Sequence, residues 1–410
     1  MKAIHFTPLG NVAEIRSGVG FPINLQGRTE GTYPFAKVGD ISMLARSGAS
    51  DLHRAKNFVN AIDIELLKSK PFPIDTIVFA KIGEAIRQNF RAILKVPALV
   101  DNNVMGVTPD REILDARYLY HYLTSVDMYP LAQSTTVPSI RKTDLERLQV
   151  PLPPLAQQRR IVAALDQMEA LRAKRRQAIA LLDDLTQSIF LDMFGNPLQN
   201  AHDWDRLPLG DLLETIDSGV SPQCLDRPVK DGEWGVLKLG AVTKCVYQQG
   251  ENKALPDGVE PQPRHEVRAG DLLLSRKNTP DLVGAAAYVR HTRSRLLMPD
   301  LIFRLVLRQD APINGVYLHA LLTHPGKRRV VQSLASGSAA SMVNISKQKL
   351  LRLLCEVPPL ALQSAFSRRV AIVEKEREVY AAHLSALDEF ANSLQHRAFS
   401  GTLWDHEAAA

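Results

Sequence analysis

Cysteine is scarce in this 410-residue chain. It has 3, Cys224, Cys245 and Cys355, all in the second half and without metal-ligand spacing. That excludes a disulfide framework shared by both halves, and reduced, buried thiols are expected. Long apolar runs are also missing. No tract reaches the ~20 apolar residues needed to span a bilayer, and the N-terminal MKAIHFTPLG has no apolar signal core. A cytoplasmic protein with no membrane partner is expected. The motifs of DNA chemistry are absent too. There is no GxxxxGK[ST] loop, and Gly18-Val19-Gly20 runs into Phe21-Pro22 and not into a helix start. Asn196-Pro197-Leu198-Gln199 reads as a helix-ending turn and not as a base-methylation site. Glu251-Asn252-Lys253 has no Pro-Asp pair upstream that could complete a Mg²⁺ nuclease site, and the histidines stand singly. No catalytic residue, metal site or cofactor is assigned to the chain.

What the sequence does have is a long helical stretch entered through prolines. Pro151, Pro153 and Pro154 hold the backbone extended, so a helix can begin only at about Leu155. From there to Phe194 no proline or glycine intervenes. Ile161, Leu165, Met168, Ile179, Leu182, Ile189 and Met193 recur every three or four residues, with Leu171, Ala178 and Leu185 widening the face. At ~1.5 Å per residue such a helix is roughly 60 Å long, more than one globular domain uses, so its apolar seam needs a second long helix.

The chain supplies that helix itself. Pro154, Leu155, Gln158, Leu182 and Phe194 return as Pro359, Leu360, Gln363, Leu387 and Phe399, a constant offset of 205. The seam returns as Phe366, Val370, Val373, Tyr380, Leu384, Leu387, Ala391 and Leu394. Arg172 and Arg377 interrupt both seams at the same position, and pairing with Glu169 or Glu374 on their own helices is expected. The preceding segments repeat as well: LGNVAEIRSGV with LGDLLETIDSGV, YPFAKVGDI with WGVLKLGAV, TIVFAKI with DLLLSRK, ARYLYHYLTS with GVYLHALLTH, and Ser134–Leu148 with Ser338–Leu353. A period of about 200 residues means two whole domains, not a solenoid. The spacing predicts an α+β protein of two tandem, pseudo-symmetric α/β domains, each followed by its own long helix, with the two helices packed on each other. The expected bounds are 1–150, first domain; 151–198, first helical spacer; 199–354, second domain; 355–404, second spacer; and 405–410, a tail.

The net charge of +6 and pI near 9.1 permit a polyanionic partner without requiring one. The placement of the bases is more informative. In the first domain Lys37, Lys81, Arg87, Asn89, Arg91, Arg141 and Lys142 are candidate DNA contacts, with Gln88 beside them. In the second the candidates are Lys238, Arg276, Lys277, Asn278, Arg290, Arg293, Arg295, Lys327 and Arg328. Arg and Lys can fix phosphates, whereas Arg, Asn and Gln can also read base edges. Lys81 and Arg276 end equivalent apolar runs. The run Arg172, Lys174, Arg175 and Arg176 reads as a solvated helix face. At this level three readings stay open: a DNA-reading subunit, a self-sufficient nuclease or methyltransferase disfavoured by its missing motifs, and a coiled-coil adaptor for protein partners.

The stretch TTVPSIRKTDLERLQVPLPPLAQQRRIV and the long helix after it resemble the specificity subunit of type I restriction-modification systems, and the duplicated layout extends the resemblance over essentially the whole chain. Gln157-Gln158 stands where the family usually has Glu-Gln, and the second copy has Val343 in place of Pro138. The resemblance implies a non-catalytic subunit whose two domains each read one part of a split double-stranded DNA target and are held apart by the two long helices, packed as an antiparallel coiled coil. It also implies two methyltransferase subunits, which carry S-adenosylmethionine and methylate adenine, and restriction subunits that cleave with ATP and Mg²⁺.

Overall fold

The computed structural model describes residues 5–132, 137–337, 342–400 and 402; the Ser/Thr-rich starts of the last repeated pair, Ser134–Thr136 and Ser338–Ser341, and the expected tail lie outside them. The chain forms two compact units, residues 1–178 with 380–410, and residues 179–379. Four helices carry the argument: α1 (Ala116–Ser125), α2 (Leu155–Phe194), α3 (Gly315–Thr323) and α4 (Leu360–Ser400).

In the first unit a five-stranded sheet runs in the order Ala13–Ser17, Val104–Pro109, Ile77–Ala80, Arg91–Leu94 and Asp51–Leu52, beside a three-stranded sheet, Asn57–Val59, Tyr33–Ala36 and Leu99–Val100. In the second unit the corresponding order is Leu213–Ser218, Ile302–Leu307, Leu272–Ser275 and Ala286–Tyr288, beside Asn252–Ala254, Gly235–Leu237 and Leu296–Leu297. Even the mixed pairing recurs: Tyr33–Ala36 and Gly235–Leu237 each pair antiparallel with one neighbour and parallel with the other. The duplication read from the sequence is thus a duplication of topology. The central strands Ile77–Ala80 and Leu272–Ser275 are buried throughout, as expected of short unbroken apolar runs in a covered sheet. Gly18 and Gly219 of the repeated Ser-Gly-Val are needed for close approach, since a Cβ would strike the carbonyl of Asp101 in one copy and of Met298 in the other. In the repeated pair YPFAKVGDI and WGVLKLGAV, the chain turns from strand into helix at Val38–Arg46 and Gly240–Thr243. In the first, the Asp40 carboxylate accepts from the Lys37 N–H at 2.8 Å, as the third residue of a capping box does, and fixes the helix start.

Helix α2 begins at Leu155 and ends at Phe194, where Gly195 takes a left-handed φ of 70°. In the first unit Ile161 and Leu165 of α2 share a core with Leu394, Ala398 and Phe399 of α4, while Arg175 lies 4.4 Å over the Tyr380 ring. Positions rise on one helix as they fall on the other, so the two run antiparallel there. In the second unit Asp183 meets Arg377 and Phe190 meets Phe366 in the same sense. The seam is buried at Leu165, Met168, Val370 and Val373 and half-buried at Ile179, Leu182, Ile189, Leu384, Leu387 and Leu394. Leu171 and Leu185 are 43% and 44% exposed and do not belong to it. Two helices alone cannot cover the wider stripe. Among the described residues no helix is long and apolar enough to cross a membrane. Cys355 is buried, Cys224 and Cys245 are half-buried, and all three are free.

Candidate nucleic-acid interface

The best-matched site in the two units is the basic end of the central strand. Strand Ile77–Ala80 delivers Lys81, whose N–H donates to the Asn103 carbonyl at 2.9 Å and whose carbonyl accepts from Ile140 at 2.9 Å. Strand Leu272–Ser275 delivers Arg276, whose N–H donates to Leu301 at 3.0 Å and whose carbonyl accepts from Ile345 at 2.8 Å. The backbone frame is the same; the side chains are not. Lys81 Nζ donates to Ser17 Oγ at 2.9 Å, and burial lowers its pKa against the pull of Asp101. Arg276 Nε donates to Asn344 Oδ1 at 3.2 Å, with its guanidinium 5.0 Å over the Phe303 ring. The segment bonded to each base carries more positive charge. Arg141 and Lys142 follow Ile140 and are exposed, and Lys277 is exposed beside Arg276. Lys347, which the sequence reading passed over, follows Ile345 and lies 5.7 Å from the Phe303 ring centre. The signal for it was available, because Lys347 stands 205 residues after Lys142.

The other candidates separate into outward and inward groups. Arg87 is exposed, held by Glu84 at 2.8 Å and lying 3.6 Å over the Tyr129 ring. Lys37 donates to Gln26 at 2.8 Å, Lys238 faces Glu251 at 3.8 Å, and Arg290 lies 5.6 Å over the Tyr288 ring. Arg293 and Arg295 fasten the carbonyls of Lys230 and Gly232, and Arg328 those of Asp281 and Leu282. Three residues expected on a surface, Arg91, Asn278 and Lys327, lie inside, and a fourth, Asn89, is half-buried. Asn89 has a left-handed φ of 51° and donates its amide to the carbonyls of Thr124 and Val126 at 3.0 Å. Arg91 is 3% exposed, and burial lowers its pKa to about 9. Asn278 is buried, and Lys327 is 4% exposed and paired with Glu356 at 2.7 Å. Glu356 lies 29 residues from Lys327, so the local cluster Gly326–Arg329 gives no hint of the pairing.

Each long helix is latched to its domain by one glutamine. Gln158, fully buried, accepts from Asp115 N–H at 2.8 Å and donates to the carbonyls of Ile113 and Pro153, both at 2.8 Å. Gln363, also fully buried, accepts from Asn314 N–H at 2.9 Å and donates to the carbonyls of Pro312 and Pro358. Asp115 and Asn314 in turn cap α1 and α3. In the first unit a charged knot adds to the latch. His121 and Arg117 of α1 bond Asp166 of α2 at 2.7 and 3.0 Å, and Glu169 stands nearby. Burial works to raise the Asp166 pKa, but these two bonds hold it below the usual carboxylate range. The ligand atoms of His121, Asp166 and Glu169 lie within 4.8 Å of one another, as in a metal site, but Arg117 already pairs with both carboxylates.

Residues 1–181 match the type I restriction modification DNA specificity domain. This part of the chain is thus similar to the specificity subunits of these systems. It is 34% identical over 168 residues to the EcoEI specificity subunit of Escherichia coli, covering 41% of this chain but only 28% of that protein. It is 22% identical over 323 residues to the EcoKI specificity subunit of E. coli strain K12, covering 73% of this chain and 68% of the other. The crystal structure of the type I restriction-modification S subunit from M. genitalium shares the fold over 97% of both chains, with a TM-score of 0.56 at 14% identity. Besides Lys347, sequence reasoning missed the partners Ser17, Asn344 and Glu356, whose roles exist only through folding.

Proposed function

We propose that this chain is the DNA-reading subunit of a type I restriction-modification complex. Residues 1–150 and 199–354 each bind one part of a bipartite, asymmetric duplex target, and segments 151–198 and 355–404 form the helical scaffold. One observation carries this reading: each domain presents a basic strand end in the same backbone frame but with different donors, Lys81 with Ser17 and Arg276 with Asn344. A shared frame with unlike donors suits two readers of unlike bases. The outward bases Arg87, Arg141, Lys142, Lys238 and Lys277 supply phosphate contacts, and the inward Asn89, Arg91, Asn278 and Lys327 shape the loops. The chain performs no chemistry. Adenine methylation with S-adenosylmethionine falls to two methyltransferase subunits, and ATP- and Mg²⁺-dependent cleavage to restriction subunits.

Mapping methylated adenine in DNA from cells with and without the chain tests this. One bipartite motif should vanish on deletion; unaltered methylation or loss of a continuous motif would overturn the proposal.

A further inference from the structure

The first unit contains an open cleft of about 810 Å³ that the strand-end site does not use. Its walls come from the loop after helix Val38–Arg46, from the start of strand Arg91–Leu94 and from α1 and α2. Five arginines line it, Arg46, Arg91, Arg117, Arg172 and Arg176, against two carboxylates, Asp51 and Glu169. Both carboxylates face Arg117, at 3.2 and 3.8 Å, and the knot's third acid, Asp166, also bonds it. Asp388, behind the cleft, takes Arg172 at 2.5 Å and lies 3.8 Å from Arg176. The charge with no carboxylate in contact is therefore at Arg46 and Arg91, the latter attracted by Asp127 only across a distance, and in part at Arg176.

Arg91 points to a ligand independently of the charge count. It is 3% exposed on the cleft wall, donates to the Phe90 carbonyl and Asn89 Oδ1, leaves Nε with no acceptor, and pairs with no carboxylate among the described residues. A buried cation whose acid, Asp127, acts only from a distance still carries a desolvation cost that an approaching anion would offset. Arg46, exposed and bonded only to Gln88 at 3.3 Å, and Arg176, 53% exposed, stand where such an anion would enter. Of the run read from the sequence as a solvated face, Arg172 and Arg176 line this cleft, whereas Lys174 and Arg175 lie outside it.

We propose that this cleft holds the phosphodiester backbone of duplex DNA without regard to sequence, beside the bases read by the strand-end site. The assignment rests on the DNA-reading function above. An anionic strand meets two mobile guanidinium groups at the rim and the field of Arg91 from the wall. Guanidinium groups engaged with phosphates carry no sequence information, so the contact adds affinity and not selectivity.

The test uses the full chain, the Arg46→Ala/Arg176→Ala variant and a charge-keeping Arg46→Lys/Arg176→Lys variant. Binding is measured across a salt series to a target duplex selected from a random pool and to an unrelated duplex. For the alanine variant the slope of log affinity against log salt should fall by about 1 to 2 on both duplexes, with their affinity ratio unchanged, and the lysine variant should keep the wild-type slope. An unchanged slope in the alanine variant, with wild-type target preference intact, overturns the cleft assignment alone. Failure of the wild-type chain to prefer any duplex overturns the functional reading beneath it. Binding of dAMP that depends on both arginines, with no change in duplex slope, would make this a free-nucleotide site and overturn the DNA assignment.

Discussion

Arg172 of α2 donates to Asp388 of α4 at 2.5 Å, and 205 residues on Arg377 of α4 donates to Asp183 of α2 at 2.7 Å. The expected partners, Glu169 and Glu374 on the same helices, are replaced by aspartates of the opposite helix. Each seam arginine thus marks a register between helices. All four side chains are 25–51% exposed, so each pair contributes little to stability, about 0.2–1 kcal/mol. Its larger effect is on alignment, because a misregistered seam would leave a guanidinium among leucines without a carboxylate. Arg172→Asp alone should lower the melting temperature and broaden the transition. Adding Asp388→Arg should restore both, and a double variant no better than the single would remove the register role.

The glutamine latches predict a larger loss. Removing the Gln158 side chain deprives the Asp115 N–H and the Ile113 and Pro153 carbonyls of partners at a buried site, at a cost of about 2–4 kcal/mol. Gln363→Ala does the same at Asn314, Pro312 and Pro358. Thermal melts of Gln158→Ala and Gln363→Ala should show losses of similar size, with Glu at either position worse than Ala because it brings a buried charge. A loss below ~0.5 kcal/mol in either variant, within the range of an ordinary surface change, would mean that the latch is dispensable.

How much of this was legible follows the range of each interaction. The prolines, the glycine-free run and the 205-residue offset are local or periodic signals, and they led to α2, α4 and the duplicated domains. Gln158 and Gln363 were visible as a repeated residue but not as latches, because their partners lie in the turns before α1 and α3. Lys327 misled because a basic cluster reads as surface until Glu356 is placed against it. Arg91 ends a loop rich in donors, yet it is the first residue of a strand whose side chains are all buried. Spacing along a chain reports which face of an element a residue occupies, whereas burial depends on what the fold lays over that face.

His319 of α3 predicts a pH response in the second unit. It is half-buried, its Nε2 lies 3.0 Å from the Cys245 carbonyl, and desolvation lowers its pKa to about 4. The unfolded chain takes up this proton near pH 6.5 and the folded chain only near 4, so protonation favours unfolding. The stability contributed by the neutral ring is complete above pH 6.5 and is lost progressively as pH falls toward 4, by about 3 kcal/mol in all. Urea titrations of wild type and His319→Gln across that window should show a shallower fall for the variant. Parallel curves would place the acid sensitivity elsewhere.

The last prediction separates the two readers. Lys81 and Arg276 occupy equivalent strand ends in domains of the same topology, yet Lys81 bonds a serine hydroxyl and Arg276 an asparagine carbonyl. Lysine offers a point charge, while the arginine fork can engage two acceptors on one guanine, so the pair should not be interchangeable. Arg276→Lys is expected to reduce discrimination at one position of one half of the target by about 1–3 kcal/mol and leave the other half unaffected. Lys81→Ala should weaken binding and lower the salt slope by about 1, with at most a local change in the opposite half-site. Selection of preferred duplexes from a random pool by each variant reads both effects. If Arg276→Lys altered both half-sites together, the domains would not read independently, and the bipartite reading would have to be abandoned.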